Sequence, residues 1–423
     1  MRENLSLVRM YGFFRGESPI RYLINQREQF MSFHFADRIK RAPVSFLSEL
    51  FSVSNNPSII SFAGGLPSSA LIDTEGIAQA TRQVMEEDAH IALQYTTTDG
   101  YLPLREYIAE RYRTRLGLPA TAEEIQIVNG SQQCLDLFAK IFLNTGDHVG
   151  MERPGYLGAI EAFSLYEPVI DTVPLEDDGP DLALFEQFVK TPNAKFFYGI
   201  PNSQNPSGRT YSQEKRRAIA EILRTSETVF YEDDAFGELF FDTKPRLPVT
   251  KYLPDQSVIS GSFSKIIAPG MRIGWIYAPE VILTPFNVVK QAADLHSNFL
   301  CQKILHRYLT THDLDDQIRH ITQVYGRKCR LMCDLLDDQL PRLSHTTPEG
   351  GMFLTITFPP GISAGRVFDD GVREKVAVLP GMPFYVDGGG EDTIRLNFSN
   401  PDDEMIKTGI SRLARVINGL LGQ

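Results

Sequence analysis

Between about residue 70 and residue 310, short apolar runs alternate with longer amphipathic ones, and this alternation constrains the fold more than any other feature of the chain. Ile125–Val128 precedes a helical pattern over 132–143, residues 149–152 precede one over 157–166, and residues 195–200 precede one over 214–224. Further strand-like runs follow at 228–231, 257–260 and 272–277. Strands separated by helices pair in parallel, because each crossover helix must lie on a face of the sheet. The pattern therefore predicts an α/β fold with a mainly parallel sheet sandwiched by helices. Ligands of such sheets bind beyond the carboxyl ends of the strands, so the strand ends are where chemistry is to be sought.

The last hundred residues change style. A long helical pattern over 314–336 gives way to strands at 352–358, 376–379 and 393–398 and to a terminal helix from Asp402. Segregated strands and helices predict a smaller α+β domain. Ahead of the alternation, the first residues mix arginines with glutamates and show weak periodicity. From Ala42, Val44, Leu47, Leu50 and Phe51 trace one helical face up to Asn55-Asn56-Pro57, and a Gly64-Gly65-Leu66-Pro67 turn follows. The expected organisation is an N-terminal arm (1–40), a helical segment packing on the small domain (41–75), a large domain (76–310) and a small domain (311–423).

Composition excludes several classes. Lys plus Arg number 42 and Asp plus Glu 53, so 42 − 53 leaves a net charge of −11, the wrong sign for a phosphate backbone; no nucleic-acid partner is expected. No run approaches the roughly 18 apolar residues of a membrane span, and the first residues carry no apolar signal block. A cytoplasmic protein with no membrane partner is expected. Cys134, Cys301, Cys329 and Cys333 form no CxxC pair; Cys329 and Cys333 share a helix face but lack a histidine pair, so no metal site is expected. The eight histidines are scattered and no G-x-S-x-G appears, which sets hydrolase readings aside.

The segment from Ser260 to Trp275 carries the most chemistry. Lys265 follows Ser260, Ser262 and Ser264 at the end of an apolar strand, and a Pro269-Gly270 bend returns Arg272 toward the next strand. An amine held among apolar groups near a fixed cation loses proton affinity and can condense with an aldehyde. Ser262, Ser264 and Arg272 suit a phosphate dianion. Taken alone, the run also suits a surface lysine after a serine-rich turn. Asn129-Gly130-Ser131-Gln132 lies where a strand yields to a helix, a place for an anion or a plain N-cap at Ser131. Glu232, Asp233 and Asp234 end another strand, an expensive cluster unless a cation offsets it. Pro201 through Gly208 ends a third, as turn chemistry or as an amide donor.

In this order, these segments resemble the class I aminotransferases of fold type I, which use pyridoxal 5′-phosphate (PLP), and within them the 2-aminoadipate and kynurenine aminotransferase subgroup. The resemblance runs from about residue 40 to the C-terminus. It implies Lys265 as the Schiff-base lysine and proton shuttle, and Asp233, or Asp234 one residue on, as the carboxylate that keeps the pyridine nitrogen protonated. It implies Gly130, Ser131, Gln132, Ser262, Ser264 and Arg272 around the phosphate, Asn205 as donor to the cofactor's 3-oxygen and toward substrate, and Tyr156 stacked on the ring. Arg395, in Thr393-Ile-Arg-Leu-Asn-Phe, matches the arginine that holds the substrate α-carboxylate, with Gly65 beside it. Tyr95 matches a tyrosine that reaches the neighbouring subunit's phosphate, which implies a homodimer with shared active sites; taken alone it is an edge-strand tyrosine.

Two positions depart from the family's pattern. Phe236 stands where the family usually places a tyrosine that donates to the 3-oxygen, leaving Asn205 as the main donor. Near the place of a dicarboxylate-binding arginine stands Ser48, among Phe46, Leu47 and Phe51, with Arg38, Lys40 and Arg41 close by in sequence. An apolar wall favours an aromatic or branched aliphatic side chain, because an unpaired buried carboxylate is costly. The expected activity is amino transfer from such an L-amino acid to a 2-oxo acid. Alternatives are another PLP reaction, such as elimination, cyclisation or decarboxylation, for which Phe236 is the motive, and a PLP-binding regulatory module, against which stands the shortness of the segment before residue 40.

Overall fold

The computed structural model describes residues 34–41, 56–244 and 246–422. Strand β1 (Ile60–Ser61) comes first. Strands β2 (Ile125–Val128), β3 (His148–Arg153), β4 (Val169–Glu176), β5 (Gly179–Pro180), β6 (Ala194–Gly199), β7 (Val229–Asp233), β8 (Ser257–Ser262) and β9 (Gly274–Tyr277) form an eight-stranded sheet in the order β2-β9-β8-β7-β6-β3-β4-β5. From β4 through β3, β6, β7 and β8 the pairing is parallel. β9 runs antiparallel between β2 and β8, and β5 runs antiparallel to β4 at one edge.

Strand periodicity assigns the two faces. On one face Phe196, Tyr198, Tyr231 and Val258 pack under α3 (Ser131–Phe142), α4 (Leu157–Ser164) and α7 (Glu280–Asp294). On the other, Phe197 and Phe230 pack with α5 (Leu182–Val189) and α6 (Gln213–Leu223), while Ile127, Ile259 and Trp275 join the core of α1 (Thr74–Glu87), α2 (Leu102–Arg111) and α8 (Phe299–Thr311). Burial on both faces explains why every residue of β7 and β8 is buried, the serines of β8 and the two acids that end β7 included.

The C-terminal part is built on α9 (Leu314–Gln339), whose first turn is capped by Asp313, and on α11 (Asp403–Leu420), with α10 (Ala364–Arg373) between them. Its sheet is antiparallel, with β10 (Ser344–His345), β11 (Phe353–Thr357), β14 (Thr393–Asn397) and β13 (Leu379–Pro380) in that order, and β1 pairs in parallel with β12 (Val376–Ala377).

Three expectations change. The strand expected from Arg272 starts at Gly274: a turn at Pro269–Met271 leaves Arg272 outside the sheet, in a left-handed conformation with φ 55°. The strand β4 was not expected, because it is half-buried and carries Pro174, a residue that argues against a strand. The N-cap, which Ser131 offered as the alternative to an anion site, is instead Gly130, with φ 76°, and among the described residues no side chain caps α3. The helical pattern over 44–51, with Phe46, Leu47, Ser48 and Phe51, lies outside the described residues. Among the described residues no helix is long and apolar enough to cross a membrane.

Candidate active site

A cavity of about 510 Å³ opens where the carboxyl ends of β7 and β8 and the start of α3 meet the antiparallel sheet. Asp233 enters it from the end of β7, and Ser262, Ser264 and Lys265 from the end of β8. Arg272 reaches it from the turn before β9, and Ser131 and Gln132 from the first turn of α3. Tyr156 stands at the start of α4, Asn205 and Phe236 follow β6 and β7, and Gly65 follows β1. Phe353 and Arg395 come from β11 and β14.

The Lys265 Nζ donates to the Gly65 carbonyl at 2.9 Å and meets no carboxylate among the described residues. Burial, reinforced by the charges of Arg395 and Arg272, lowers its pKa to about 8, so a usable share of neutral amine exists near neutral pH. Asp233 is buried; its Oδ2 accepts from the Tyr198 hydroxyl at 2.7 Å and its Oδ1 from the Ser260 hydroxyl at 3.2 Å. Burial pushes its pKa up to about 6 while these two donors pull the other way, so the group stays ionised at neutral pH. Its neighbours point elsewhere. Asp234 accepts from Asn202 Nδ2 at 2.6 Å and lies outside the large cavity, and Glu232 faces Arg216 at 3.7 Å. Separate partners thus relieve the three-acid cluster, and of the two aspartates only Asp233 faces the cavity.

At the other end, donors converge. Ser262 donates its hydroxyl to Ser264 at 2.8 Å, and Arg272 reaches the Asn129 carbonyl at 3.3 Å from its Nη2. Arg272 passes so close to Gly130 that a Cβ there would collide with the guanidinium. The N-terminus of α3, which no side chain caps among the described residues, presents backbone N–H groups beside Ser131. Gln132 lines the wall but spends its amide on the Gly158 carbonyl at 2.8 Å.

Arg395 is buried, yet its hydrogen-bond partners among the described residues are neutral oxygens: Asn205 Oδ1 at 2.9 Å and the Ala63 carbonyl at 2.6 Å. Among the described residues its Nε has no partner; its guanidinium lies over the Phe353 ring at 4.1 Å, and burial lowers its pKa to about 9. A buried cation of this kind is completed by an anion, and a planar carboxylate matches its fork. Phe236 is 5 % exposed and meets Phe353 edge-on at 5.9 Å, with no hydroxyl to offer. Tyr95 is not brought to the cavity: it is 76 % exposed, edge-on to His296.

The donor set suits PLP. An amine for the aldehyde, a buried carboxylate for the ring nitrogen and a cluster of hydroxyls, backbone N–H groups and a guanidinium for the phosphate line one space. Among the described residues no His, Cys, Asp and Glu cluster of three or more is arranged to hold a metal ion. Sequence reasoning did not find Tyr198 and Ser260 beneath Asp233, the Ala63 carbonyl on Arg395, or Leu157 and Phe384 in the wall. Tyr198 lies in the buried run of β6, where its alternation gave only a core position.

A family profile described as aminotransferase class I and II matches residues 59–413. The chain is 38 % identical over 387 residues to a 2-aminoadipate transaminase of Thermus thermophilus, covering 90 % of this chain and 96 % of that one. It is 36 % identical over 391 residues to an aromatic-amino-acid aminotransferase of Thermococcus litoralis, with 91 % and 94 % covered. Among solved structures, the Thermus thermophilus α-aminoadipate aminotransferase complexed with N-(5′-phosphopyridoxyl)-L-leucine superposes with a TM-score of 0.86 at 36 % identity, covering 92 % of this chain and 98 % of that one.

Proposed function

Because the chain belongs to the class I and II aminotransferases, a PLP-dependent family, we propose that the large cavity holds PLP and that the amino donor is an L-amino acid with an aromatic or branched aliphatic side chain. When bound, the cofactor supplies an aldehyde that condenses with amines and a ring that draws electrons from the substrate's α-carbon. Lys265 would hold the cofactor through its Nζ, and the same atom, when neutral, would move the α-proton of the substrate. The neutral fraction set by its lowered pKa makes Nζ a base. Asp233, steadied by Tyr198 and Ser260, keeps a proton on the ring nitrogen.

Ser262, Ser264, Arg272, Ser131, Gln132 and the Gly130 turn would hold the phosphate, Tyr156 would lie against the ring, and Asn205 would donate its amide to the 3-oxygen. Arg395 takes the α-carboxylate of the amino acid and, in the second half of the cycle, that of a 2-oxo acid acceptor. The side-chain preference is supported by Leu66, Leu157, Leu379, Phe353 and Phe384, apolar groups that share the cavity with Arg395. A homodimer with shared sites is supported by Tyr95, whose 76 % exposure, with Leu93 beside it at 64 %, suits a surface that a second copy covers.

One observation carries the reading: Lys265, Asp233 and Arg395, distant in sequence, face one space. The test is an absorbance scan of the purified protein against a panel of amino acids, followed by borohydride reduction and mass spectrometry. Aromatic or branched aliphatic donors are expected to change the spectrum most. Borohydride is expected to fix the cofactor on the wild-type chain and not on Lys265→Ala; a fixed cofactor in the variant would refute the lysine's role.

A further inference from the structure

The turn that carries Asn205 is unusual for a connection: residues 201–208 are all buried. A buried loop must find partners for its polar groups inside the protein. Gln204, with no exposed surface, is where several of these meet. Its Oε1 accepts from the Ser207 N–H at 2.9 Å and the Ser207 hydroxyl at 2.6 Å, and its Nε2 donates to the Pro154 carbonyl at 2.8 Å and to Glu152 Oε2 at 3.0 Å. One side chain thus ties the turn bearing Asn205 to the segment that leads into Tyr156.

Glu152 lies on β3, 1 % exposed and outside the cavity lining. Among the described residues it has no cationic partner. Its Oε1 instead accepts from the Ile200 N–H at 2.9 Å and from the Tyr211 hydroxyl, while its Oε2 accepts from Gln204. All three neighbours donate, so the site is built for a carboxylate. Core packing alone would not require a buried acid here, since an apolar side chain of similar size avoids the desolvation cost.

We propose that Glu152 is a positioning residue for amino transfer: through Gln204 it holds the turn so that the Asn205 amide meets the cofactor's 3-oxygen. The inference rests on the reading of Asn205 as that donor. Asn205 Oδ1 is engaged by Arg395 at 2.9 Å, which leaves its amide nitrogen as the group to donate. The turn's far side is held by the antiparallel sheet, where Thr355 donates to the Pro206 carbonyl at 3.1 Å and Thr346 to that of Ser207 at 2.7 Å. Glu152 provides the opposing hold from the parallel sheet.

Substitution separates its two oxygens. In Glu152→Gln the amide oxygen stays with the two donors on Oε1, one of which is a backbone N–H that cannot turn away. The new NH₂ then faces the Gln204 NH₂, donor against donor, and Gln204 cannot reverse because its oxygen holds Ser207. Tyr211→Phe removes a donor from Oε1 and leaves the Gln204 link intact. Gln204→Ala cuts the link from its other end and serves if Glu152→Gln does not fold. The readouts are the pH midpoint of the bound cofactor's absorbance change in the holoenzyme and the PLP affinity of the apoenzyme by calorimetry.

A lost donor to a deprotonated oxygen raises that oxygen's proton affinity. Asn205→Ala, Glu152→Gln and Gln204→Ala are therefore expected to raise the midpoint by about one pH unit and to weaken PLP binding about tenfold, while Tyr211→Phe leaves the midpoint unchanged. If Asn205→Ala raises the midpoint and neither Glu152→Gln nor Gln204→Ala does, Glu152 is no positioning residue and the role of Asn205 stands. If Tyr211→Phe shifts it as much as Glu152→Gln, Glu152 acts as general packing and the proposal fails. If Asn205→Ala itself changes nothing, the reading of Asn205 falls and takes the proposal with it.

Discussion

At residue scale, Phe236 sets the chain apart. Its ring lines the cavity, meets Phe353 at nearly a right angle and has no hydroxyl, so on the proposed reading Asn205 is the side-chain donor left for the cofactor's 3-oxygen. Phe236→Tyr is expected to add a hydrogen bond to a charged oxygen, worth roughly 1.5–3 kcal/mol, and so to lower the midpoint of the cofactor's absorbance titration by about one to two units. A midpoint unchanged in the variant would place the hydroxyl out of reach. Lys265, Asp233, Asn205 and Arg395 could be singled out in the sequence because the resemblance to a family runs through the short motifs that carry them, and all four line one cavity. The Glu152–Gln204 pair was not: 52 residues separate the partners, and neither looks unusual where it stands. The choice between Asp233 and Asp234 likewise needed the strand's two faces, since successive residues point opposite ways.

At the scale of elements, the start of α3 shows how backbone and side chain share one task. Gly130 holds φ 76°, a conformation glycine adopts without a steric penalty, and the space its missing Cβ leaves is filled by Arg272. Gly130→Ala is expected to strain the turn by about 1–3 kcal/mol and displace the guanidinium, weakening PLP binding by about tenfold or more, as calorimetry on the apoenzyme would read. Helices with a strong apolar stripe, such as α9 and α11, were legible from spacing alone, and so were the doubly buried strands. β4 was not, because half-burial and Pro174 blur its pattern, and the pairing of β1 with β12 joins two-residue segments far apart in the chain.

At the scale of the whole molecule, buried acids set the response to pH. Burial raises Asp233 from 3.8 to about 6, Glu152 from 4.5 to about 7 and Glu232 from 4.5 to about 8. A carboxyl with a raised folded pKa contributes stability that is complete below its unfolded value and is lost as pH rises through its folded value. Lys265, lowered from 10.5 to about 8, changes little below that point. The melting temperature of the apoprotein is thus expected to fall as pH rises from about 4.5 to about 8, in scanning calorimetry; Glu232→Gln, which carries no ionisable carboxyl, should flatten the upper part of that fall. The α/β class and the α+β lobe were legible from element order, whereas strand order was not, since nothing local in 274–277 announces that β9 runs against its neighbours. That reversal has a consequence for what the chain tolerates. β8 delivers Lys265 as it leaves the sheet, and β9 delivers Arg272 as it comes back, so amine and guanidinium ride on one short out-and-back excursion. Inserting or deleting a single residue within 266–271 would change the gauge between them, and no compensating shift elsewhere could restore both ends at once.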